Sequence, residues 1–342
     1  MAALFSSCSD FQEINEDPNQ VGEEKVKPEW FLNASIIGDQ MNPEIAERIF
    51  ILTWNRAARF NRGSGFTIGT DNNDYITLYL SNDYAVKWLN QATKAIQLGE
   101  KKVADGEADL YPYYKNVIQM ARIWRAYLNS EVADGFGPIP ALDAFSGVPA
   151  EYDSVETIYG FILKELKEAE AALDPSISMS PMAAEDAFYA GDVTMWKKYA
   201  NSLRMRLAMR IVNADPQLAQ SEFEDAASKG YISSVAELAG VQEKDGWSDL
   251  TSVMSRTWNA QAMSVTFKNL VVGLGDIEFP LPDSLKAHLK DPHSYLGLYL
   301  DKHFPLTTND PCAGFYFDGI PQYVDPRAPK LFSVVGWNDG VV

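Results

Sequence analysis

Two stretches of the chain combine tryptophan or tyrosine with amide, carboxylate and guanidinium groups outside any helical apolar pattern. The flat apolar faces of sugars stack on aromatic rings, and sugar hydroxyls hydrogen-bond to such polar groups. We therefore predict that these stretches bind a ligand. The predicted residues are Trp54, Arg59, Asn61, Arg62 and Tyr75 in the first stretch, and Trp247, Trp258 and Asn259 in the second. The alternative interpretation is that Trp54 and Trp258 are core residues that face the helices.

The sequence lacks the residue patterns that covalent chemistry requires. His288, His293 and His303 do not have the spacing of a helical zinc site. There is no Gly-x-Ser-x-Gly nucleophile elbow and no phosphate-binding glycine loop. A glycoside hydrolase is the natural rival, since 47 acidic residues supply carboxylate pairs by chance, but no spacing singles out a catalytic pair. We predict no enzymatic activity, no catalytic residue, no metal site and no cofactor.

The composition limits the partners that the chain can have. Its formal net charge is -18, which repels nucleic acid and anionic membrane surfaces. Hydrophobic residues make up 46% of the 342 residues, enough for a substantial core. Nucleic acid is therefore excluded as a predicted partner.

Cys8 follows an apolar stub and two small residues, Ser6 and Ser7. This order is similar to the end of a bacterial lipoprotein signal peptide, where small residues precede a lipid-modified cysteine. We predict a partial lipoprotein signal and lipidation site over residues 1–8, and a polar tether over residues 9–27. The alternatives are an ordinary cysteine near an unstructured terminus, or a disulfide with Cys312. No segment reaches about 18 apolar residues, so the prediction is a chain anchored to a membrane and not embedded in it.

Apolar residues at helical spacing predict a mainly α fold. Helices are expected from Pro28 and over residues 83–98, 110–132, 153–173, 193–213 and 216–229. Asp153 and Glu156 are typical of an N-cap pair. Asn201 and Arg204 are expected to satisfy buried carbonyls or carboxylates. The helix starts are unevenly spaced, which indicates a degenerate tetratricopeptide-like scaffold of helix pairs with loop-rich insertions, mainly after residue 231.

Five stretches in order along the chain resemble the SusD/RagB family of surface nutrient-binding lipoproteins of Bacteroidetes. The longest match is residues 196–208, Trp-Lys-Lys-Tyr-Ala-Asn-Ser-Leu-Arg-Met-Arg-Leu-Ala. The others are residues 8–11 with 14–19, residues 125–128 with 134–140 (Asp-Gly-Phe-Gly-Pro-Ile-Pro), residues 152–159, and residues 325–329 (Asp-Pro-Arg-Ala-Pro).

The resemblance implies a SusD-like fold in one domain over residues 28–342, and a C-terminal portion that this chain lacks. It implies a surface-exposed lipoprotein of the cell outer membrane and a SusC-like TonB-dependent transporter as partner. The two aromatic stretches correspond roughly to regions that carry the binding site in such proteins. The expected function is capture of an oligosaccharide for that transporter. A peptide ligand, or a helical-repeat scaffold for protein interactions, is the alternative.

Overall fold

The computed structural model describes residues 25–40, 53–62, 79–242, 262–264 and 267. Most of these residues are helical. The chain divides into two compact units. The helical unit comprises Met1–Asn42 and Asp74–Trp247, and the second unit comprises Pro43–Asn73 and Ser248–Val342. Each unit is thus assembled from two separate chain segments. The single domain over residues 28–342 stays a prediction.

The predicted mainly α fold is confirmed, with a counterpart for each predicted helix. The main helices are α1 (Pro28–Gln40), α2 (Asn90–Ala104), α3 (Tyr114–Phe136), α4 (Val155–Ala172), α5 (Val193–Arg210) and α6 (Pro216–Ser228). A π-helical segment, Tyr79–Leu89, leads directly into α2. Leu110, predicted to lie in a helix, is exposed in the turn before α3. Pro112 disfavours helical geometry at the residue that precedes it, so α3 begins only beyond it.

Helix α3 is the centre of the helical unit. It packs against α2 on one side and α4 on the other, and also contacts α1, α5 and the π-helical segment. Its residues Val117, Trp124 and Leu128 are fully buried, which is why this helix is apolar on more than one face. The later helices pack in the order of the chain: α4 packs on α5, and α5 packs on α6.

A single hydroxyl group links three elements around this centre. The Ser35 hydroxyl of α1 donates to the Trp88 carbonyl at 2.8 Å and accepts from the Trp124 indole N–H at 2.8 Å. All three groups are buried, so each would lack a partner if the serine were absent. Ser35 therefore fixes α1 against both the π-helical segment and α3.

The start of α4 differs from the predicted N-cap by one residue. Ser154 is the N-cap, and its hydroxyl accepts from the Thr157 N–H at 3.1 Å. The Asp153 carboxylate instead accepts from the N–H groups of Ala141 and Leu142 at 2.9 and 3.0 Å. Asp153 thus closes the base of the loop before α4, so its side chain does not cap the helix.

The polar residues predicted to lie in the core of α5 are placed as expected. Asn201 donates to the Gly230 carbonyl at 2.9 Å. The buried Arg204 guanidinium is bonded to Glu222 and, at 2.6 Å, to Asp225. These bonds join α5 to α6 and to the turn that follows it, and the prediction for both residues is confirmed.

The described part of the second unit is small. A helical turn at Asn55–Ala57 precedes strand β1 (Asn61–Arg62), which pairs antiparallel with β2 (Ala262–Met263). In this register Asn61 lies opposite Met263, and Arg62 lies opposite Ala262.

Candidate ligand-binding site

The first aromatic stretch begins with a tight reversal of the backbone. The Ala58 N–H donates to the Trp54 carbonyl at 2.8 Å, and the Phe60 N–H donates to the Asn55 carbonyl at 2.8 Å. Arg59 lies between them with a φ of 57°, in the left-handed region that few residues other than glycine adopt. The reversal leaves Trp54 half-buried and Arg59 exposed.

Ser264 holds this reversal against the chain some two hundred residues further on. Its hydroxyl donates to the Arg59 carbonyl, and its N–H donates to the Phe60 carbonyl at 3.1 Å. The same hydroxyl accepts from the Phe267 N–H at 3.0 Å. Together with the β1–β2 pairing, these bonds fix the backbone of residues 59–62.

Two phenylalanines form the aromatic part of the site. The rings of Phe60 and Phe267 pack edge to face, with 4.9 Å between centroids and 88° between planes. Phe267 is buried, whereas 43% of Phe60 is exposed to solvent. A buried ring thus supports a half-exposed ring, and the exposed Arg59 directly precedes Phe60 in the chain. The reversal therefore contributes both an apolar face and a cationic donor.

Asn61 is in a different environment from its neighbours. Only 7% of the residue is exposed, and within the described part of the chain its side-chain oxygen has no hydrogen-bond partner. A buried amide oxygen in this state can accept a hydrogen bond from any donor that reaches it. Burial also lowers the pKa of the nearby Arg56 guanidinium.

The structure brings together part of the predicted residue set. Trp54, Arg59 and Asn61 lie within one reversal, and the backbone of Arg62 is in β1. The predictions for Tyr75, Trp247, Trp258, Asn259 and Cys8 concern residues outside the described ones. The prediction of a ligand site stays a prediction for the whole set.

The predicted set did not include Phe60, Ser264 or Phe267. Phe60 lies between two predicted residues, so its aromatic ring was available as a signal. Ser264 and Phe267 have no local signal, because their place in the site depends on a pairing between distant segments.

Two further observations concern the described residues only. No group of three or more histidine, cysteine, aspartate or glutamate side chains there could hold a metal ion. None of the helices in those residues has the length and apolar character needed to cross a bilayer.

Comparison with known proteins identifies the family. The chain belongs to the SusD-like family, described as Susd and RagB outer membrane lipoprotein, whose sequence model matches residues 13–282. This confirms the resemblance found in the sequence. No curated protein sequence matches the chain.

Solved structures, among them two SusD homologues, have a fold similar to that of this chain. A SusD homologue from Parabacteroides distasonis is 25% identical, with a TM-score of 0.65 over 89% of this chain and 55% of that one. A chitin-binding protein is 18% identical, with a TM-score of 0.61 over 86% of this chain and 60% of that one. A chitin-binding SusD homologue from Flavobacterium johnsoniae is 23% identical, with a TM-score of 0.53 over 69% of this chain and 48% of that one. The chain therefore spans about half of the length of these relatives.

Proposed function

We propose that the chain is a capture protein of the outer membrane surface, which binds an oligosaccharide and delivers it to a SusC-like TonB-dependent transporter without a covalent step. The observation that carries this proposal is the family membership over residues 13–282. The half-exposed aromatic face beside Arg59 provides a site of suitable chemistry. Binding would combine ring stacking with a few oriented hydrogen bonds, and the net gain per hydroxyl is small because each also bonds to water.

The pairing of β1 with β2 supports a single site that draws on both predicted stretches. β1 contains Asn61 and Arg62 of the first stretch. Trp258 and Asn259 of the second stretch precede Ala262 of β2 by four and three residues. We propose that Trp258 and Asn259 complete the binding face around Trp54, Arg59 and Phe60 in the second unit. Tyr75 and Trp247 stay separate predictions of ligand-binding residues.

An oligosaccharide is the favoured ligand class, because two of the similar structures are of proteins described as chitin-binding. A peptide is the second candidate, since an aromatic face next to a guanidinium group suits peptide side chains as well. The tetratricopeptide-like scaffold that binds only proteins is the third. The three candidate functions differ in which ligand the protein binds saturably: a glycan, a peptide, or neither.

Calorimetric titration of residues 9–342 tests the proposal. The panel would contain chito-oligosaccharides, malto-oligosaccharides and short peptides. We expect saturable binding to one glycan class, with the glycan recovered uncleaved. Saturable binding to peptides alone would replace the ligand class, and recovery of shortened glycan would contradict a role limited to capture.

Trp54→Ala tests the position of the site, with Trp30→Ala as the matched control. Trp54 is half-buried within the proposed site, whereas Trp30 is an exposed tryptophan of α1 in the helical unit. We expect Trp54→Ala to weaken glycan binding about tenfold, or about 1.4 kcal/mol, and Trp30→Ala to leave it unchanged. A lowered melting temperature with unchanged affinity in Trp54→Ala would instead place this ring in the core.

We also propose that the lipid anchor is attached to Cys8 and holds the protein on the outer face of the membrane. Cys8→Ser in the bacterial cell is expected to abolish labelling by radioactive palmitate and to release the protein from the membrane fraction. Retention of the label would assign the anchor to another residue.

A further inference from the structure

The loop between α3 and α4 exposes an unusual concentration of apolar side chains. We call residues 141–152 the apolar loop. Within it Val148 is 66% exposed and Tyr152 is 76% exposed, and Leu142 and Phe145 are also exposed. Single exposed apolar residues are normal on a protein surface, but four within twelve residues are a concentration of the kind that marks an interaction site.

The backbone at the base and tip of this loop is ordered by specific hydrogen bonds. At the base, the Asp153 N–H donates to the Ile139 carbonyl at 2.9 Å, and the Asp153 carboxylate accepts the two N–H groups described above. At the tip, the Ser146 N–H donates to the Asp143 carbonyl at 3.2 Å. These bonds fix the backbone that carries the exposed apolar side chains, as in compact loops whose ends lie close together.

Phe145 adds a second sign of a functional loop. Its φ is 61°, in the left-handed region, which costs a residue with a β-carbon about 1–2 kcal/mol. The strained residue is also an exposed aromatic one. A loop selected for stability alone would gain by placing glycine here and by removing the exposed ring.

The charge of the apolar loop and of the residues on either side of it indicates which kind of partner could bind there. Residues 137–156 contain four acidic residues and no lysine, arginine or histidine. Asp143, Glu151 and Glu156 are exposed, whereas Asp153 is engaged at the loop base. A second copy of this chain would bring the same acidic charges to the contact, and an anionic bilayer would repel them.

We propose that the apolar loop docks on a protein surface that offers an apolar recess rimmed by lysine and arginine side chains. Apolar contact would provide affinity, and opposite charge at the rim would provide steering and register. The identity of that partner rests on the proposed function, in which it is the SusC-like transporter. The loop would then be the part of the helical unit that holds the two proteins together.

The test compares the full chain and its variants in complex with a SusC-like transporter from the same bacterium, purified in detergent. Val148→Ser combined with Tyr152→Ser removes the most exposed apolar groups of the loop. Val235→Ser combined with Leu238→Ser is the matched control, because these residues are also exposed apolar residues of the helical unit. We expect the loop variant to weaken the complex at least tenfold and the control to change it less than twofold.

Two further measurements distinguish the transporter from a lipid surface or a second copy of this chain as the partner of the apolar loop. Asp143→Lys combined with Glu151→Lys is expected to weaken the complex and reduce its salt dependence. A photo-crosslinking amino acid in place of Phe145 is expected to react with the transporter in intact cells. Crosslinking to lipid or to a second copy of this chain would overturn the proposal.

The outcomes distinguish this inference from the proposed function. If the loop variant binds the transporter as tightly as the unmodified chain does, the docking loop is overturned and the delivery role stands. If the unmodified chain forms no complex, both the docking loop and the delivery step are overturned. Glycan titration of the loop variant reports on capture alone, and we expect it to be unchanged.

Discussion

Asp186 is a buried carboxylate that organises the chain before α5. One oxygen accepts from the N–H groups of Phe188 at 3.0 Å and Tyr189 at 3.4 Å, and the other accepts from Gly191 N–H at 2.9 Å and the Trp196 indole at 2.8 Å. The carboxylate therefore holds a backbone turn and a core tryptophan together. Its removal would leave buried donors without an acceptor, which costs more than the net value of the bonds.

Asp186→Ala is expected to lower the free energy of unfolding by about 2–4 kcal/mol, since hydrogen bonds to a charged group contribute about 1.5–3 kcal/mol and orphaned donors add to the loss. Urea denaturation measures the change. Asp105→Ala is the control, because this aspartate forms an exposed pair with Lys101 at 2.9 Å and should change stability by less than about 1 kcal/mol. Equal effects of the two substitutions would contradict a central role for Asp186.

Glu29 is a second buried carboxyl group, and its environment differs from that of Asp186. Burial raises its pKa above the ordinary value of 4.5, although a 2.9 Å hydrogen bond from the Tyr113 hydroxyl and the charge of Lys27 oppose the shift. Glu185 adds to the increase. Within the described residues, the second carboxylate oxygen of Glu29 has no hydrogen-bond partner. The fold therefore raises the pKa of Glu29 above the value it has in the unfolded chain.

Glu29→Gln is expected to become more favourable as the pH rises. A group whose pKa is higher in the folded state contributes stability that is fully present below the unfolded pKa and lost as the pH rises through the folded pKa. The glutamine variant has no such loss, so its stability relative to the unmodified chain should increase from about pH 4.5 upward. Urea denaturation across this range tests it. Exposed Glu100→Gln is the control, and a flat difference for Glu29→Gln would refute the prediction.

At the scale of elements, the contact between α2 and α3 depends on a glycine. A β-carbon added at Gly99 would lie 2.6 Å from Cγ1 of Ile118, which is shorter than any tolerated contact. Ile118 is itself buried, so it has little room to move. The absence of a side chain at this position allows the two helices to approach closely. Gly160 of α4 is different, because an added β-carbon there meets no atom within 4 Å.

Gly99→Ala and Gly160→Ala should therefore change stability in opposite directions. Overpacking is expected to make Gly99→Ala less stable by about 1–3 kcal/mol. The greater helix propensity of alanine is expected to make Gly160→Ala more stable by up to about 1 kcal/mol. Thermal or urea denaturation of the two variants tests both signs, and a stabilised Gly99→Ala would show that α2 and α3 can separate at no cost.

The helices were predictable from the sequence because apolar spacing and breakers act locally. The first turns of α1, α5 and α6 begin at or next to the positions that the pattern indicated. The cap of α4 was predicted one residue early, since Asp153 and Ser154 are both good caps and only the tertiary bonds to Ala141 and Leu142 decide between them. The π-helical segment was not predictable, because its residues also fit a helix of ordinary period.

The candidate site was less predictable for a physical reason. Trp54, Arg59 and Asn61 carry a local signal, namely aromatic and polar residues outside an apolar stripe. Ser264 and Phe267 join them only through a pairing of Asn61 with Met263, which lies far along the chain. No local propensity encodes a contact of such sequence separation, so the sequence indicates the parts of the site and not their partners.

At the scale of the whole molecule, the helical unit depends on α1. This helix lies in the N-terminal segment Met1–Asn42 and not in the longer segment Asp74–Trp247. Helix α1 packs on α2, on α3 and on the π-helical segment, and it buries Leu32 and Ile36. It also supplies the buried polar partners Ser35 and Glu29. Burial of two such aliphatic side chains contributes about 3–6 kcal/mol, which is comparable with the net stability of a domain, about 5–15 kcal/mol.

Truncation from the N-terminus should therefore show a sharp threshold. A chain that begins at residue 25 keeps α1 and is expected to unfold with almost the melting temperature of the chain that begins at residue 9. A chain that begins at residue 41 lacks α1 and is expected to lose cooperative unfolding. Circular dichroism during heating measures both. Cooperative unfolding of the shorter chain would show that α1 is dispensable, and loss of stability on removing residues 9–24 would show that the predicted tether is part of the fold.

Because some tryptophan side chains are buried and others are exposed, the fluorescence of this protein contains a shielded and a quenchable component. Trp88, Trp124 and Trp196 are shielded in the helical unit, whereas Trp30 is exposed and Trp54 is half-buried. The emission of the three shielded rings should be blue-shifted and insensitive to acrylamide, a neutral quencher that the net charge of -18 does not repel. Glycan added to the intact protein should then change only the quenchable part of the spectrum, while unfolding should shift the shielded part to longer wavelength.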